Sequence, residues 1–123
     1  MIDPLYYPQR DFYVSQPGSS TITSLSEGEA TKKHVALLLV KGNEFEMRPL
    51  PLRSHRPFQF ADLILTPEDN DVKMVQSKIT AKVEQMIAIA QQQWLTENPD
   101  KPCPLPLIRL RVDHSNAVGF SKQ

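Results

Sequence analysis

The chain has a single cysteine, four glycines and one tryptophan among 123 residues. One cysteine excludes an internal disulfide framework and any zinc site built from several thiolates. Cys103 stands in a proline-rich loop with no base near it in sequence, which gives it no route to activation as a nucleophile. Charge of one sign is also missing. Fourteen basic residues balance fourteen acidic ones, so no whole-chain field draws the protein to nucleic acid or membrane, and any basic surface must be local. The longest apolar run, Val35 to Val40, falls far short of the roughly 20 residues that span a bilayer, and the acidic, proline-containing start lacks a signal-peptide profile. The expectation is a soluble intracellular segment with no membrane partner.

The three histidines, His34, His55 and His114, are far apart and stand in no HxH or HExxH spacing. Ser15, Ser19 and Ser20 surround a sharp Pro17-Gly18 turn, but not as G-x-S-x-G, and no local histidine and acid complete a triad. Gln16 to Ser20 lacks the Walker spacing and its lysine, so a phosphate cradle competes there with a plain hydrogen-bonded turn. No catalytic residue and no metal ligand is assignable.

What is present is a succession of short β signals and one long helical one. Residues 1 to 11 read as an extended entry into a Phe12-Val14 strand, and Ser15 to Thr31 as loop with a short strand at Thr21-Thr23. His34 to Lys41, Gly42-Asn43 and Glu44 to Leu52 form a hairpin signal. Pro49 and Pro51 cannot donate ladder hydrogen bonds, which places the later part of the second strand at an edge and a domain crossover near residues 49 to 57. Phe58 to Leu65 is a further strand. Asp69, Asn70 and Asp71 offer a helix N-cap, and Val72, Val75, Ile79, Val83, Met86, Ile87, Ala90 and Trp94 recur at helical steps. After the prolines of residues 98 to 106, Leu107 to Val112 is a strand with Ile108, Leu110 and Val112 on one face and Arg109 and Arg111 on the other. Strand, helix, strand is compatible with a right-handed crossover and a layer of helix on sheet.

Local charge then gains meaning. Arg48, Arg53, His55 and Arg56 share a stretch without acids, and Arg109 and Arg111 lie about 7 Å apart along a strand, close to the repeat of a phosphate backbone. Two salt-bridged arginines on a solvated sheet face would look the same. Lys32-Lys33 follows Glu27-Gly28-Glu29, as steering charge or as half of a local ion pair.

An ordered set of segments carries a resemblance: Ile2-Asp3-Pro4, Ser15-Gln16-Pro17-Gly18-Ser19-Ser20 with Thr23-Ser24-Leu25, Gly28-Glu29-Ala30, Lys33-His34-Val35, Pro51-Leu52-Arg53, Arg56-Pro57-Phe58 and Leu107 to Asp113. Together they resemble the meiotic recombination eleven family of double-strand-break repair nucleases, calcineurin-like metallophosphoesterases. The resemblance implies an α/β fold: residues 1-52 as the closing strands and loops of an αββα nuclease sandwich, and residues 53-123 as a β-α-β portion of a DNA-binding capping domain. It further implies a nuclear, manganese-dependent single-strand endonuclease and 3'-5' exonuclease of homologous recombination and meiosis. Its partners would be DNA, a coiled-coil ABC-type ATPase subunit, a nibrin-type adaptor and a second copy in a homodimer. The family's metal ligands and dimer helices would precede residue 1, and its ATPase-gripping segment would follow residue 123, so both ends read as cut through a larger fold. On this reading Arg53, Arg56, Arg109 and Arg111, with Lys32 and Lys33, contact the DNA backbone. Gln16 or Ser19 would support the metal ligands through hydrogen bonds from behind. A truncated, non-catalytic module that binds DNA or protein is the alternative, with exposed apolar strands as its hazard.

Overall fold

A computed structural model describes residues 4-117; Ile2 and Asp3 of the resemblance, and the closing Gly119 to Gln123 stretch, lie outside the described residues. The order is β1 (Leu5–Tyr7), β2 (Phe12–Val14), a 3₁₀ turn (Glu27–Ala30), β3 (His34–Lys41), β4 (Glu44–Pro51), β5 (Phe58–Ile64), α1 (Val72–Glu97) and β6 (Leu107–Asp113). The strands pair as β1 with β2 and β3 with β4, both antiparallel, and β5 with β6 in parallel. The chain is mixed α/β, small sheets and one long helix.

The β3–β4 hairpin closes through Gly42-Asn43 with Lys41 opposite Glu44, and Gly42 holds the positive φ of +60° that a two-residue hairpin loop requires. Pro49 and Pro51 sit opposite Ala36 and His34 inside the ladder. The Leu52 amide donates to the Lys33 carbonyl at 2.8 Å. Alternation therefore turns the Leu50 and Leu52 amides toward β3 and the two proline nitrogens outward, where no donor is needed. β1 was masked at sequence level by Pro4 and Pro8. Its three residues are held by cross-strand aromatic pairs, Tyr6 with Tyr13 at 4.9 Å and Tyr7 with Phe12 at 5.4 Å between ring centroids. Tyr13 also meets Phe45 edge-on at 4.8 Å, tying the two hairpins together.

The short strand expected at Thr21-Thr23 does not form. The Thr23 and Ser24 amides donate to the Glu29 carboxylate, at 3.0 and 2.8 Å, and so have no ladder to join. The 3₁₀ turn that carries Glu29 follows further on, at Glu27–Ala30.

α1 begins at Asp71, whose carboxylate accepts the Lys73 amide at 3.1 Å. Asp69 has a different task. Fully buried, it accepts the Thr66 amide at 2.8 Å and the Lys78 ammonium, which together hold its pKa below the usual carboxylate range, the ammonium contributing most. The helix ends at Asn98, where the cap amide donates to the Trp94 carbonyl at 2.7 Å.

Of the helical stripe, Val75, Met86, Ala90 and Trp94 are buried, whereas Val72 in the first turn is exposed. With Phe58 and Leu65 they make the core, and no apolar side chain before Phe58 is buried among the described residues. β3 instead leaves both faces open, with Leu37 at 44% exposure on one and Val40 at 66% on the other. α1 lies on the β5–β6 face that carries Gln59, which donates to Gln93 at 3.0 Å. The loop and 3₁₀ turn of residues 22-30 lie against the opposite face, over Phe58 and Arg109.

Candidate nucleic-acid interface

The connection from β4 to β5 presents Arg53 and Arg56. Asn98 Nδ2 reaches across from the helix end and donates to the Arg53 carbonyl at 2.8 Å, so the cap of α1 also fixes the connection's backbone. The Arg53 side chain is left exposed on the rim of a cleft of about 470 Å³, with Lys32, His55, Glu29, Glu97 and Trp94 among its walls. No partner takes the Arg53 guanidinium among the described residues. Arg56 is also exposed, and its Nε donates to the Leu105 carbonyl at 2.6 Å. That single bond anchors Arg56 to the proline-rich segment and leaves its terminal N–H groups to solvent.

Lys32 shares the cleft but is paired with Glu97 at 2.8 Å. Lys33 is turned the other way: it is only 7% exposed, and its ammonium donates to Ser19 Oγ at 3.4 Å. A phosphate would reach it only if the Ser19 loop moved aside. Ser19 in turn donates to the Thr21 carbonyl at 2.6 Å, and Gln16 is exposed on the same loop, where Gly18 makes the turn at φ +79°. The turn therefore shapes a loop that covers Lys33.

Arg109 and Arg111 meet on the other surface, around Phe60. Their guanidinium carbons stand 5.7 and 5.6 Å from the ring centroid, within cation–π range. Their charges are not equally available. Asp62 accepts two bonds from Arg111, at 2.6 and 2.9 Å, and this carboxylate raises the arginine's pKa further. Arg109 has no acid as partner among the described residues; its Nη1 donates to the Leu25 carbonyl at 2.8 Å.

Leu25 holds φ +51°, unusual for a branched residue, and the clasp beside it explains how. Glu29 accepts from the Ser24 and Thr23 amides and from the Thr23 and Ser24 hydroxyls, at 2.8 Å for Thr23 Oγ1. The two backbone donors are the main reason its pKa falls to about 2. One carboxylate thus fixes the loop that presents a carbonyl to Arg109.

The sequence did not single out Phe60, Asp62 or Asn98, and it offered Glu29 as half of an ion pair with Lys32 or Lys33, whereas Glu29 serves Thr23 and Ser24 and Lys32 pairs with Glu97. Phe60 and Asp62 stand two apart, as do Arg109 and Arg111, and the observed register puts Phe60 opposite Arg109 and Asp62 opposite Arg111. That spacing was legible; the register was not. Among the described residues, no three His, Cys, Asp or Glu side chains come together in a group able to hold a metal ion. These residues do not fit a manganese centre.

The comparisons with known proteins decide what this surface belongs to. The family described as Mre11 DNA-binding presumed domain matches residues 45-123, which take in most of β4, the arginine connection, β5, α1 and β6. The chain belongs to the Mre11 family. It is 47% identical over 136 residues to the double-strand break repair protein MRE11 of Mus musculus, with 99% of the chain aligned to 19% of that protein. Identity to the Homo sapiens MRE11 is 42% over 129 residues, covering 97% of the chain and 17% of the relative. The Oryza sativa subsp. japonica MRE11 is 42% identical over 125 residues, covering 98% and 17%. The chain therefore spans about a fifth of the length of the curated MRE11 relatives it matches. All four arginines fall inside the stretch matched by the Mre11 DNA-binding family, and Gln16, Ser19, Lys32 and Lys33 fall before it.

Proposed function

We propose that this chain binds the sugar-phosphate backbone of DNA as part of a nuclear double-strand-break repair nuclease. The observation that carries the reading is the coincidence of the matched stretch with Arg53 and Arg56, two exposed guanidiniums on one short connection with donors unspent. Guanidinium forks suit phosphate oxygens, and contacts of this kind position the backbone without reading base identity. Arg109 ranks next, since the Leu25 carbonyl and the Phe60 ring that hold it are both neutral, and Arg111 last, since Asp62 already neutralises it. Lys32 and Lys33 contribute less, one paired and the other covered.

On this reading residues 1-52 close the nuclease core and 53-123 open its capping domain. The manganese-dependent endonuclease and exonuclease chemistry, with any support from Gln16 or Ser19, belongs to the assembled nuclease. The homodimer contacts and the ATPase and nibrin-type partners belong there too. No hydrolytic step is assigned to the residues described here.

A labelled duplex titrated with the full chain tests the reading. Fluorescence anisotropy should give an association constant that falls as salt rises, independent of sequence. Absence of binding at low salt, or binding indifferent to salt, refutes it. The exposed apolar residues of β3 favour a second reading, a module that contacts another protein; binding to that surface without any DNA affinity would select it.

A further inference from the structure

The loop that covers the β5–β6 face carries four hydroxyls between Thr21 and Ser26, and they are not equivalent. Thr23 and Ser24 spend theirs on Glu29. Ser26 stands at the start of the 3₁₀ turn, exposed, and its side chain makes no capping bond. Glu27 and Glu29 follow it at the first and third positions. An exposed serine followed at once by an acid suits a kinase whose substrate groove is basic, with Glu29 at the third position held by Thr23 and Ser24. On its other side lies Leu25, whose carbonyl is held by Arg109 at 2.8 Å.

From this juxtaposition we infer that Ser26 is a phosphorylation site whose phosphate takes Arg109 from the Leu25 carbonyl. The kinase transfers the γ-phosphoryl group of a nucleoside triphosphate. A bond forms from Ser26 Oγ to phosphorus as the bond to the β-phosphate oxygen breaks. The hydroxyl proton passes to the kinase's base, and the nucleoside diphosphate leaves. The product bears up to two negative charges and strong acceptor oxygens one residue from the Leu25 carbonyl, to which Arg109 donates while its guanidinium faces the neutral Phe60 ring. A guanidinium–phosphate bond, with both partners charged, outcompetes the bond to that neutral carbonyl. Glu27 opposes the docking, while Glu29 faces Thr23 and Ser24 and is already satisfied by their donors. Arg111 stays with Asp62 on its bidentate pair. The modification would therefore withdraw Arg109 from any other anion. This consequence for DNA rests on the functional reading above, whereas the docking does not.

The full chain is incubated with an acidophilic serine kinase and ATP, and the site is mapped by mass spectrometry against S26A. The phosphate is then titrated by ³¹P NMR. A free phosphoserine titrates near pH 6, and a guanidinium partner should lower that by about 1 unit in the wild-type chain but not in R109Q or in urea. Failure to modify Ser26 while a peptide of residues 20-31 is modified overturns the inference, as does a phosphate titrating identically in the wild type and R109Q. If the pKa is depressed, the docking stands, and DNA titrations then separate the two claims: a lower salt slope on phosphorylation supports Arg109 as a DNA contact. An unchanged slope beside a depressed pKa refutes that contact and leaves the docking intact.

Discussion

Replacing Arg53 and Arg56 together by glutamine should change how DNA affinity depends on salt by an amount the structure fixes. Both guanidiniums are exposed, one without a protein partner among the described residues and one with a single bond to the Leu105 carbonyl. If each neutralises one phosphate of a duplex, its loss lowers the slope of log K against log salt by about 0.9, or about 1.8 for the pair. Between about 50 and about 200 mM salt the logarithm of concentration rises by about 0.6, so the double variant should lose about 12-fold less affinity over that range than the wild type. The assay is anisotropy of a labelled duplex at several salt concentrations, with circular dichroism to check that both proteins are folded. The control is the charge-neutral pair of changes Asp62→Asn with Arg111→Gln, which removes an arginine whose charge is already met. It should leave the slope nearly unchanged, while Asp62→Asn alone, which frees Arg111, should raise the slope by up to about 0.9. An unchanged slope for the Arg53 and Arg56 variant, beside a full unit lost in the Asp62 and Arg111 control, would refute the reasoning that partnered arginines are spent.

Three further outcomes follow from single residues. The Glu29 carboxyl should titrate at about 2 rather than 4.5, seen as coupled shifts of the Thr23 and Ser24 amide resonances. Its folded pKa is depressed, so its stabilisation is full above the unfolded value and disappears as pH falls through about 2; amide shifts centred near 4.5 would show that the clasp is not formed. Asn98→Ala removes the donor that joins the helix end to the Arg53 carbonyl and should cost about 1–2 kcal/mol in thermal unfolding. It should also weaken DNA binding more than its own uncharged side chain explains, and an effect on stability alone would mean that the connection does not need this anchor. Gly42→Ala meets no atom within 4 Å and is strained only through φ +60°, so a cost of about 1–2 kcal/mol is expected, with loss of β3–β4 amide protection in hydrogen exchange as its signature. A neutral effect would mean that the turn relaxes.

Elements whose cause is local were readable in the chain. The Gly42-Asn43 hairpin, the Asp71 cap, the helical stripe through Trp94 and the β-α-β order each depend on residues close in sequence. What was not readable depends on partners far away. The Thr21-Thr23 strand was lost to a carboxylate six residues on, Lys33 was buried by the Ser19 loop, and Arg111 was claimed by Asp62 from the other strand. Arg109 and Arg111 look alike in sequence, two exposed cations on one face, and only the register of β5 against β6 tells them apart. The resemblance supplied the family, but not which cations remain available.

The neutral composition of the chain and a local DNA surface are reconciled by where the acids fall. Asp62 meets Arg111, Glu97 meets Lys32, Glu46 meets Arg48 and Asp69 meets Lys78, so four cations of the described residues are compensated within the fold. The Arg53 to Arg56 connection escapes because its backbone is held by Asn98, and its own contact is to the Leu105 carbonyl, a neutral group. The three pairs on the surface contribute about 0–1 kcal/mol each to stability, too little to be the reason the fold stands, while Asp69 is buried and stands apart from them. Their larger effect is on the field: they set the Arg53 to Arg56 connection, and Arg109 after it, among the places where a phosphate finds a guanidinium without first displacing a carboxylate. A search for phosphate contacts in such a protein should therefore start from arginines whose partners are neutral, before counting arginines at all.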